Sequence, residues 1–277
     1  MSPTVALVST PHRSFPGWRT AAVTAGRAAE MVRAGAVDAV VAGPGDQVPE
    51  LIWSALSHGV PICCDPPLAP TAAEAGEIAA AARAATAPAV VSFPWRSQGA
   101  LADARDTIRS GRLGDLLTVD LTVHDDPRAT SAGVAAIHQL DLLRWLTRPD
   151  WTVEAGWSAT VPLDGWGLGL TTVGLCAGDT RARIAASRLD RGAPRFQLTA
   201  TGVHGTLLVV MDPRDGAGMW RLSLASGTGE RVFGGGEVDP HLSFLLADEG
   251  GFFDDAAQAH SLAAAAETTR LAGAAAR

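Results

Sequence analysis

The stretch VDAVVAGPGDQVPELIWSALSHGVPICC, residues 37–64, decides the fold class of the amino-terminal half. A short apolar run, Val37–Val41, ends in the turn sequence Gly43-Pro44-Gly45. The pattern from Val48 to Ser57 predicts a helix, and Val60–Cys64 predicts the next strand. Strands that alternate with helices in this way are typical of a parallel sheet covered by helices.

The same alternation continues on both sides of that stretch. Thr4–Ser9 predicts a buried first strand, and Trp18–Arg33 predicts an alanine-rich helix. Downstream, the sequence predicts a helix from the capping box Thr71-Ala-Ala-Glu74 to about Ala85, a strand at Ala87–Phe93 and a helix at Gln98–Ser110. The first half is therefore expected to be a truncated Rossmann-like domain, residues 1–114.

The second half predicts a different architecture. A long strand, Leu116–His124, and a helix at about Ala135–Leu146 precede a succession of strands. These are Trp151–Thr160, Leu168–Ala177, Arg181–Arg188, Arg195–Thr201, Gly205–Met211 and Trp220–Leu224. Period-two polarity in consecutive strands is typical of an antiparallel sheet. We expect an α/β fold followed by an α+β domain, residues 115–277, with helices on one face of a large, mostly antiparallel sheet. A last helix at about Phe253–Ala275 either stays with this domain or packs back on the first.

Composition excludes several classes of protein. The 277 residues are 47% hydrophobic and carry a net charge of −7, with the basic residues scattered. A disordered chain, a nucleic-acid groove and a binding surface for anionic membranes are therefore not expected. The amino terminus lacks the features of a signal peptide, and no apolar run reaches the ~20 residues of a bilayer span. Three cysteines, Cys63, Cys64 and Cys176, cannot form a disulfide framework, so we expect a cytoplasmic protein.

All 22 basic residues are arginine, because the chain contains no lysine. It also contains no tyrosine. Arginine binds anions but stays protonated, so it is a poor proton shuttle. Schiff-base lysines and tyrosine–lysine dyads are excluded. Proton transfer must therefore use the seven histidines, the carboxylates or the thiols.

Several short motifs occur in an order that is found in one enzyme family. They are Asp38-Ala-Val-Val41, Pro44, His58-Gly-Val-Pro-Ile62, Asp65-Pro-Pro-Leu-Ala69, Arg96, Ser110-Gly-Arg-Leu-Gly-Asp115, His138-Gln-Leu-Asp141 and Thr201-Gly-Val-His-Gly-Thr-Leu207. From about residue 37 onward, the chain resembles the glucose-fructose oxidoreductase / inositol dehydrogenase / MocA-like (Gfo/Idh/MocA) family. The resemblance implies an NAD(P)-dependent oxidoreductase of sugars or cyclitols that forms dimers or tetramers.

The region that would bind the dinucleotide departs from this family. The turn after the first strand, Pro11–Gly17, is not the glycine-rich G-x-G-x-x-G that lets a backbone approach a pyrophosphate. Only 27 residues separate Thr10 from Asp38, which leaves room for one helix, so we expect the second strand to be missing. No tightly bound cofactor is expected. Weak NAD(P) binding at Gly43, Pro44 and Asp65 is the option that the resemblance leaves open.

The catalytic positions of the family are also altered. Its Glu-Lys-Pro motif aligns with Asp65-Pro66-Pro67, and Val134 and Val48 replace an expected aspartate and histidine. His138 and Asp141 remain, one helical turn apart. His138 is either a general acid or base or a structural histidine at a helix start. Asp141 either orients His138 or binds a hydroxyl, or it is a buried structural partner.

Other residues complete the candidate site. Trp95 and Arg96 follow a strand end, where ligands bind in open α/β sheets. Arg96 is either an anion clamp or part of a surface salt bridge, and Gln139 joins these two residues as a candidate substrate contact. Cys64 is either a nucleophile or inert packing. No histidine or cysteine spacing indicates a metal site.

Two functions remain open at this stage. One is an enzyme acting on a small polar or cyclic metabolite through His138, by acid–base chemistry that need not involve a hydride. The other is a non-catalytic subunit that pairs with an intact homologue. Trp151, Trp157, Trp166 and Trp220 suggest apolar residues on both faces of the second sheet, which predicts a homodimer or hetero-oligomer through that sheet.

Overall fold

A computed structural model of the chain describes residues 2–9, 14–45, 47–124, 136–147, 150–163, 166–187, 195–211, 219–225, 230–233, 265–266 and 268–271. These residues fall into two compact units. The first unit contains the described residues up to Phe93 together with 265–266 and 268–270. The second contains those from Pro94 to 233 together with Leu271.

The first unit is built on a parallel sheet of five strands in the order β2-β1-β3-β4-β5. The strands are β1 Thr4–Val8, β2 Arg19–Val23, β3 Ala39–Ala42, β4 Ile62–Cys64 and β5 Ala89–Val91. The helices are α1 Ala25–Arg33, α2 Val48–His58 and α3 Ala72–Ala84. The hydroxyl of Thr71 accepts the N–H of Glu74 at 3.2 Å, so the predicted cap of α3 is confirmed. This unit has the predicted Rossmann-like α/β architecture.

The segment Trp18–Arg33, predicted as one helix, holds a strand and a shorter helix instead. Strand β2 pairs in parallel with β1, from Arg19 opposite Thr4 to Val23 opposite Val8. The helix begins only after Thr24, whose hydroxyl accepts the N–H of Arg27 at 3.3 Å. The expectation of a missing second strand was therefore wrong. In the connection from β1 to β2, the described residues 9 and 14–18 contain no helix, whereas the second strand is present.

The second unit is built on an eight-stranded sheet in the order β13-β12-β11-β10-β6-β9-β8-β7. Its strands are β6 Leu116–His124, β7 Thr152–Leu163, β8 Trp166–Ala177, β9 Thr180–Ser187, β10 Arg195–Gly202, β11 Gly205–Met211, β12 Trp220–Leu224 and β13 Glu230–Phe233. All neighbouring pairs are antiparallel except β6 and β9, which confirms the mostly antiparallel sheet. The strand β13 was not predicted.

Two helices, α4 Gly99–Arg109 and α5 Ile137–Thr147, contribute to the core of the second unit. The buried side of β6 alternates along the strand, as period-two packing requires, and shares one apolar cluster with α5. The cluster includes Val119, Leu121 and Val123 from β6, Leu140 and Leu143 from α5, and Ala100, Leu101 and Ala104 from α4. Because α4 packs here, the compact units divide between Phe93 and Pro94. The domain boundary expected from the sequence, between residues 114 and 115, falls after α4.

The described tryptophans among the four that suggested a second apolar face differ in their burial. Trp151 and Trp220 are buried in the core of the second unit, so they do not mark a second apolar face. Trp157 on the edge strand β7 is 56% exposed. The side chain of Trp166 lies outside the described residues, as does most of the helix predicted at Phe253–Ala275. Of that helix, residues 265–266 and 268–271 are described as helical, and Ala265 packs in the core of the first unit.

None of the helices in the described part of the chain combines the length and the apolar character of a membrane-spanning segment.

Two of the motifs quoted above, Ser110–Asp115 and Thr201–Leu207, pack against each other in the second unit. The turn that follows α4 meets the hairpin turn between β10 and β11, where the N–H of Val203 donates to the carbonyl of Asp115 at 3.1 Å. The N–H of His204 donates to the carbonyl of Leu113 at 2.9 Å. A Cβ atom on Gly202 would overlap that Leu113 carbonyl oxygen, so the close approach requires glycine.

Gly202→Ala is therefore expected to lower the free energy of unfolding by roughly 1–3 kcal/mol, the usual cost of overpacking. Backbone atoms, rather than a flexible side chain, would have to move. The matched control is Gly169→Ala on β8, where an added Cβ meets open space. Urea titrations monitored by circular dichroism measure both variants. A Gly202→Ala protein as stable as the wild type would contradict this packing.

Candidate functional site

His138 lies in a row of aromatic side chains inside the second unit. It is half-buried in the first turn of α5, and its ring centroid is 6.0 Å from that of Trp95, at an interplanar angle of 51°. Trp95 belongs to the 3₁₀ helix Pro94–Ser97. Its ring packs in a T-shaped arrangement with that of Phe196, with the ring centroids 5.4 Å apart. The ring centroid of Phe196 in turn lies 5.0 Å from that of Trp220. The candidate acid or base is therefore held against an indole that is supported by the sheet.

Arg96 forms a bidentate ion pair with Asp141. Its Nε donates to Oδ2 of Asp141 at 2.8 Å, and its Nη2 donates to Oδ1. The side chain of Asp141 is only 1% exposed, whereas that of Arg96 is 23% exposed. Both carboxylate oxygens are thus engaged by the guanidinium, whose charge is balanced within the chain. This geometry is that of a structural pair between the 3₁₀ helix and α5.

Gln139, which follows His138, has an unusual environment. Its side chain is 4% exposed, and its Oε1 atom has no hydrogen-bond partner in the structure. A buried acceptor without a donor is costly, and such groups usually bind water or a ligand. The predicted role of Gln139 in substrate binding remains a prediction.

The far end of α5 is fixed by two arginines of α4. Arg109 donates from Nε to the carbonyl of Leu146 at 3.3 Å and from Nη2 to the carbonyl of Trp145. The guanidinium of Arg105 lies 4.6 Å from the centroid of the Trp145 ring. Positive charge near the last carbonyls of a helix is favourable, so these contacts stabilise the helix that carries His138.

The residues predicted to contact a cofactor lie at the carboxyl ends of strands in the first unit. Gly43 follows β3 and its N–H donates to the carbonyl of Val8 at 2.8 Å, while the N–H of Asp65, after β4, donates to the carbonyl of Ala42 at 2.8 Å. Pro44 has no N–H group. These backbone donors extend the sheet hydrogen bonding, so they are not directed at an anion.

The connection between β1 and β2 is described at residues 9 and 14–18. In a dinucleotide-binding site, the pyrophosphate binds the N-terminus of the helix that follows the first strand. The described residues 9 and 14–18 of this connection form no helix, and Ser9 turns away from β1 with a φ of 57°. Strand β2 is followed by Thr24-Ala25-Gly26, which offers no carboxylate for a ribose hydroxyl.

Cys64 closes β4 in the core of the first unit. Burial, with a smaller contribution from the carboxylate of Asp65, raises the pKa of the Cys64 thiol to about 12. The thiol is thus protonated at neutral pH, which favours inert packing over a nucleophilic role. In the described part of the chain, no three histidine, cysteine or acidic side chains are arranged to hold a metal ion.

Sequence reasoning placed Trp95, Arg96, His138 and Asp141 in one site but missed how they pair. It also missed Phe196, which supports Trp95 from the sheet. The one signal for Phe196 was its inward position in the alternating pattern of β10.

Comparison with known proteins finds relatives that are similar to part of the chain. No protein-family model matches it. The rhizopine catabolism protein MocA of Rhizobium meliloti is 32% identical over 130 residues, and inositol 2-dehydrogenase of Streptomyces avermitilis is 34% identical over 118 residues. These two relatives support the resemblance to the Gfo/Idh/MocA family. The matched segments cover 43% and 40% of this chain but only 41% and 34% of the two relatives.

The chain shares its fold with solved structures of oxidoreductases. The crystal structure of an oxidoreductase from Sinorhizobium meliloti superposes with a TM-score of 0.73, covering 100% of this chain and 97% of that one. Sequence identity over this superposition is 15%, so the comparison establishes the architecture alone. The predicted fold class is confirmed.

Proposed function

We propose that this Gfo/Idh/MocA protein is an enzyme that acts on a small polar or cyclic metabolite through acid–base chemistry at His138. The observation that carries the proposal is the half-buried His138 ring held against Trp95 at the start of α5. An inositol dehydrogenase among the relatives favours a sugar-like or cyclitol ring as the substrate class.

The residues of the second unit suit such a substrate. A neutral imidazole at His138 accepts a proton and its protonated form returns one, which is the exchange that isomerisation, elimination or cyclisation requires. The Trp95 indole offers an apolar face to the C–H bonds of a ring, and Oε1 of buried Gln139 is an acceptor for a hydroxyl. Because Arg96 is balanced by Asp141, the pair adds no net charge, which favours an uncharged substrate.

We further infer that the dinucleotide site is degenerate and that NAD(P) is bound weakly or not at all. Nicotinamide would supply hydride transfer, but the residues at its expected position do not fit it. The support is the connection after β1, whose described residues lack a helix, and the backbone donors of Gly43 and Asp65, which are engaged in the sheet. Pro66 also stands at the position of the family's lysine, and the chain contains no lysine that could replace it.

The first test of this proposal is nucleotide binding. The purified protein is expected to carry no nicotinamide and to bind NAD(H) and NADP(H) more weakly than micromolar, because the described residues between β1 and β2 offer a pyrophosphate no helix N-terminus. Isothermal titration calorimetry measures this directly. Micromolar or tighter binding of any of the four nucleotides would contradict the degenerate site.

The second candidate function is a non-catalytic subunit of an intact homologous oxidoreductase. The same altered connection after β1, and Pro66 in place of lysine, favour this alternative. The test is whether a complete homologue requires this chain for its activity. In either case we propose a cytoplasmic setting, because three cysteines, two of which are adjacent in sequence, cannot form a disulfide framework.

We propose that the chain forms a homodimer or hetero-oligomer through the sheet of the second unit. Trp157 exposes 56% of its surface on the edge strand β7, next to Thr172 of β8, and an exposed tryptophan of this size is typical of an interface. Light scattering at tens of micromolar is expected to show an assembly that Trp157→Ser weakens. A wild-type monomer, in the absence of a partner chain, would count against a homodimer.

A further inference from the structure

We propose that Arg96 is a positioning residue, whose ion pair with Asp141 fixes the Trp95 ring against His138. This inference rests on the proposed role of His138, but its test does not depend on turnover. From the sequence, Arg96 was expected to be either an anion clamp or part of a surface salt bridge. The structure pairs it with Asp141, whose side chain is 1% exposed.

The geometry connects two neighbouring residues to two positions of one helix. Trp95 and Arg96 are consecutive in the 3₁₀ helix, and they contact His138 and Asp141, which are one turn apart on α5. The contact between the Trp95 and His138 rings allows a broad range of orientations. The two hydrogen bonds from Arg96 to Asp141, which form a fork, allow only a narrow range of orientations. The ion pair therefore limits the orientation of the weaker contact beside it.

Two further contacts make this restriction effective. The hydroxyl of Ser97 donates to the carbonyl of Pro94 at 2.9 Å, which ties the two ends of the 3₁₀ helix together. The Trp95 ring also packs in a T-shaped arrangement with Phe196 from β10, with ring centroids 5.4 Å apart. The indole thus contacts both the sheet and His138, and the Arg96 fork sets the distance at which α5 approaches it.

The guanidinium is essential to this role, because lysine retains the charge but cannot form two parallel bonds to a carboxylate. Two variants separate position from charge. Arg96→Lys keeps the charge and loses the fork. The double variant Arg96→Met/Asp141→Leu removes both charges together, so the net charge of the site is unchanged, and apolar replacements of a buried pair commonly preserve folding.

The experiment is nuclear magnetic resonance of the full chain with ¹³C-labelled histidine side chains. The His138 signal is assigned by its disappearance in His138→Gln. In the wild type, the signal carries the shift that the adjacent indole imposes. In Arg96→Lys and in the double variant, we expect it to move toward the position of an exposed histidine.

The matched control is the pair between Arg183 of β9 and Asp120 of β6, joined at 2.7 Å on the exposed side of the sheet. Arg183→Lys and Arg183→Met/Asp120→Leu make the same chemical changes away from α5 and should leave the His138 signal in place. If a substrate is found, Arg96→Lys is expected to lower kcat more than it changes KM.

An unmoved His138 signal in the folded double variant would overturn the proposal and leave Arg96 as a structural ion pair only. If Arg96→Lys fails to fold, the double variant carries the test alone. A displaced signal in a protein that turns over no metabolite would retain the positioning role and reject the proposed enzyme. Turnover with an unmoved signal would do the reverse.

Discussion

Replacing His138 with alanine is expected to lower turnover by roughly 10²–10⁴-fold, the usual contribution of a positioned general acid or base. The expectation follows from the composition as much as from the structure. With no lysine and no tyrosine in the chain, few groups exchange a proton near neutrality, and His138 is the histidine held against the Trp95 indole. Initial rates with a cyclitol or sugar substrate, together with a circular dichroism spectrum, measure the effect.

Two further variants define what this loss means. His138→Gln keeps a hydrogen-bonding side chain without the proton exchange, so it should be about as inactive as the alanine variant. His58→Ala is the matched control, because His58 is an exposed histidine whose Nδ1 lies 2.9 Å from the carbonyl of Ser54 in the first unit. If both His138 variants turn over substrate at the wild-type rate, the proposed site is wrong.

Arg96→Met is expected to lower the free energy of unfolding by about 3 kcal/mol, because it leaves the buried carboxylate of Asp141 without its partner. Adding Asp141→Leu should recover most of that loss, since no buried charge then remains unpaired. Guanidinium titrations of the single and double variants measure both values.

The comparison pair for this prediction is again Arg183 and Asp120, which are exposed. Arg183→Met should cost less than about 1 kcal/mol, because exposed ion pairs contribute little. An Arg96→Met protein that is as stable as Arg183→Met would show that the Asp141 carboxylate is not desolvated as the structure describes.

The fold class could be predicted because hydrophobic periodicity changes at the right place. Alternating strands and helices up to Ser110 and consecutive strands after Leu116 correspond to the two sheets that the structure contains. The error at β2 arose because Arg19–Val23 and α1 form one alanine-rich run without glycine or proline between them. The signal that separates them is Thr24, a good N-cap whose hydroxyl starts the helix five residues into the strand-like segment.

The residues of the candidate site could be named from the sequence, but the contacts between them could not. His138 and Asp141 share a helix, so their spacing alone places them one turn apart. The partner of Asp141 is 45 residues away in sequence, and no local pattern indicates that Arg96 reaches it. A free guanidinium and a paired one look identical in sequence, which is why the anion clamp remained open until the geometry was known.

The β1–β2 connection is a second feature that the sequence predicted only in part. Its lack of a glycine-rich motif was visible in the sequence, and so was its short length. Those observations indicated a shortened connection but not which element it keeps. The structure keeps β2, whose backbone pairs in parallel with β1 at the edge of the sheet.

The most direct test of the central claim is a thermal-shift comparison of the wild-type chain with uncharged cyclitols and sugars and with NAD(H) and NADP(H). A ligand present at 100 times its dissociation constant adds ~2.7 kcal/mol to stability. A cyclic metabolite is expected to raise the melting temperature of the wild type, Trp95→Ala is expected to reduce this shift, and none of the four nucleotides is expected to produce one. A shift with a nicotinamide nucleotide and none with any cyclic metabolite would contradict this claim.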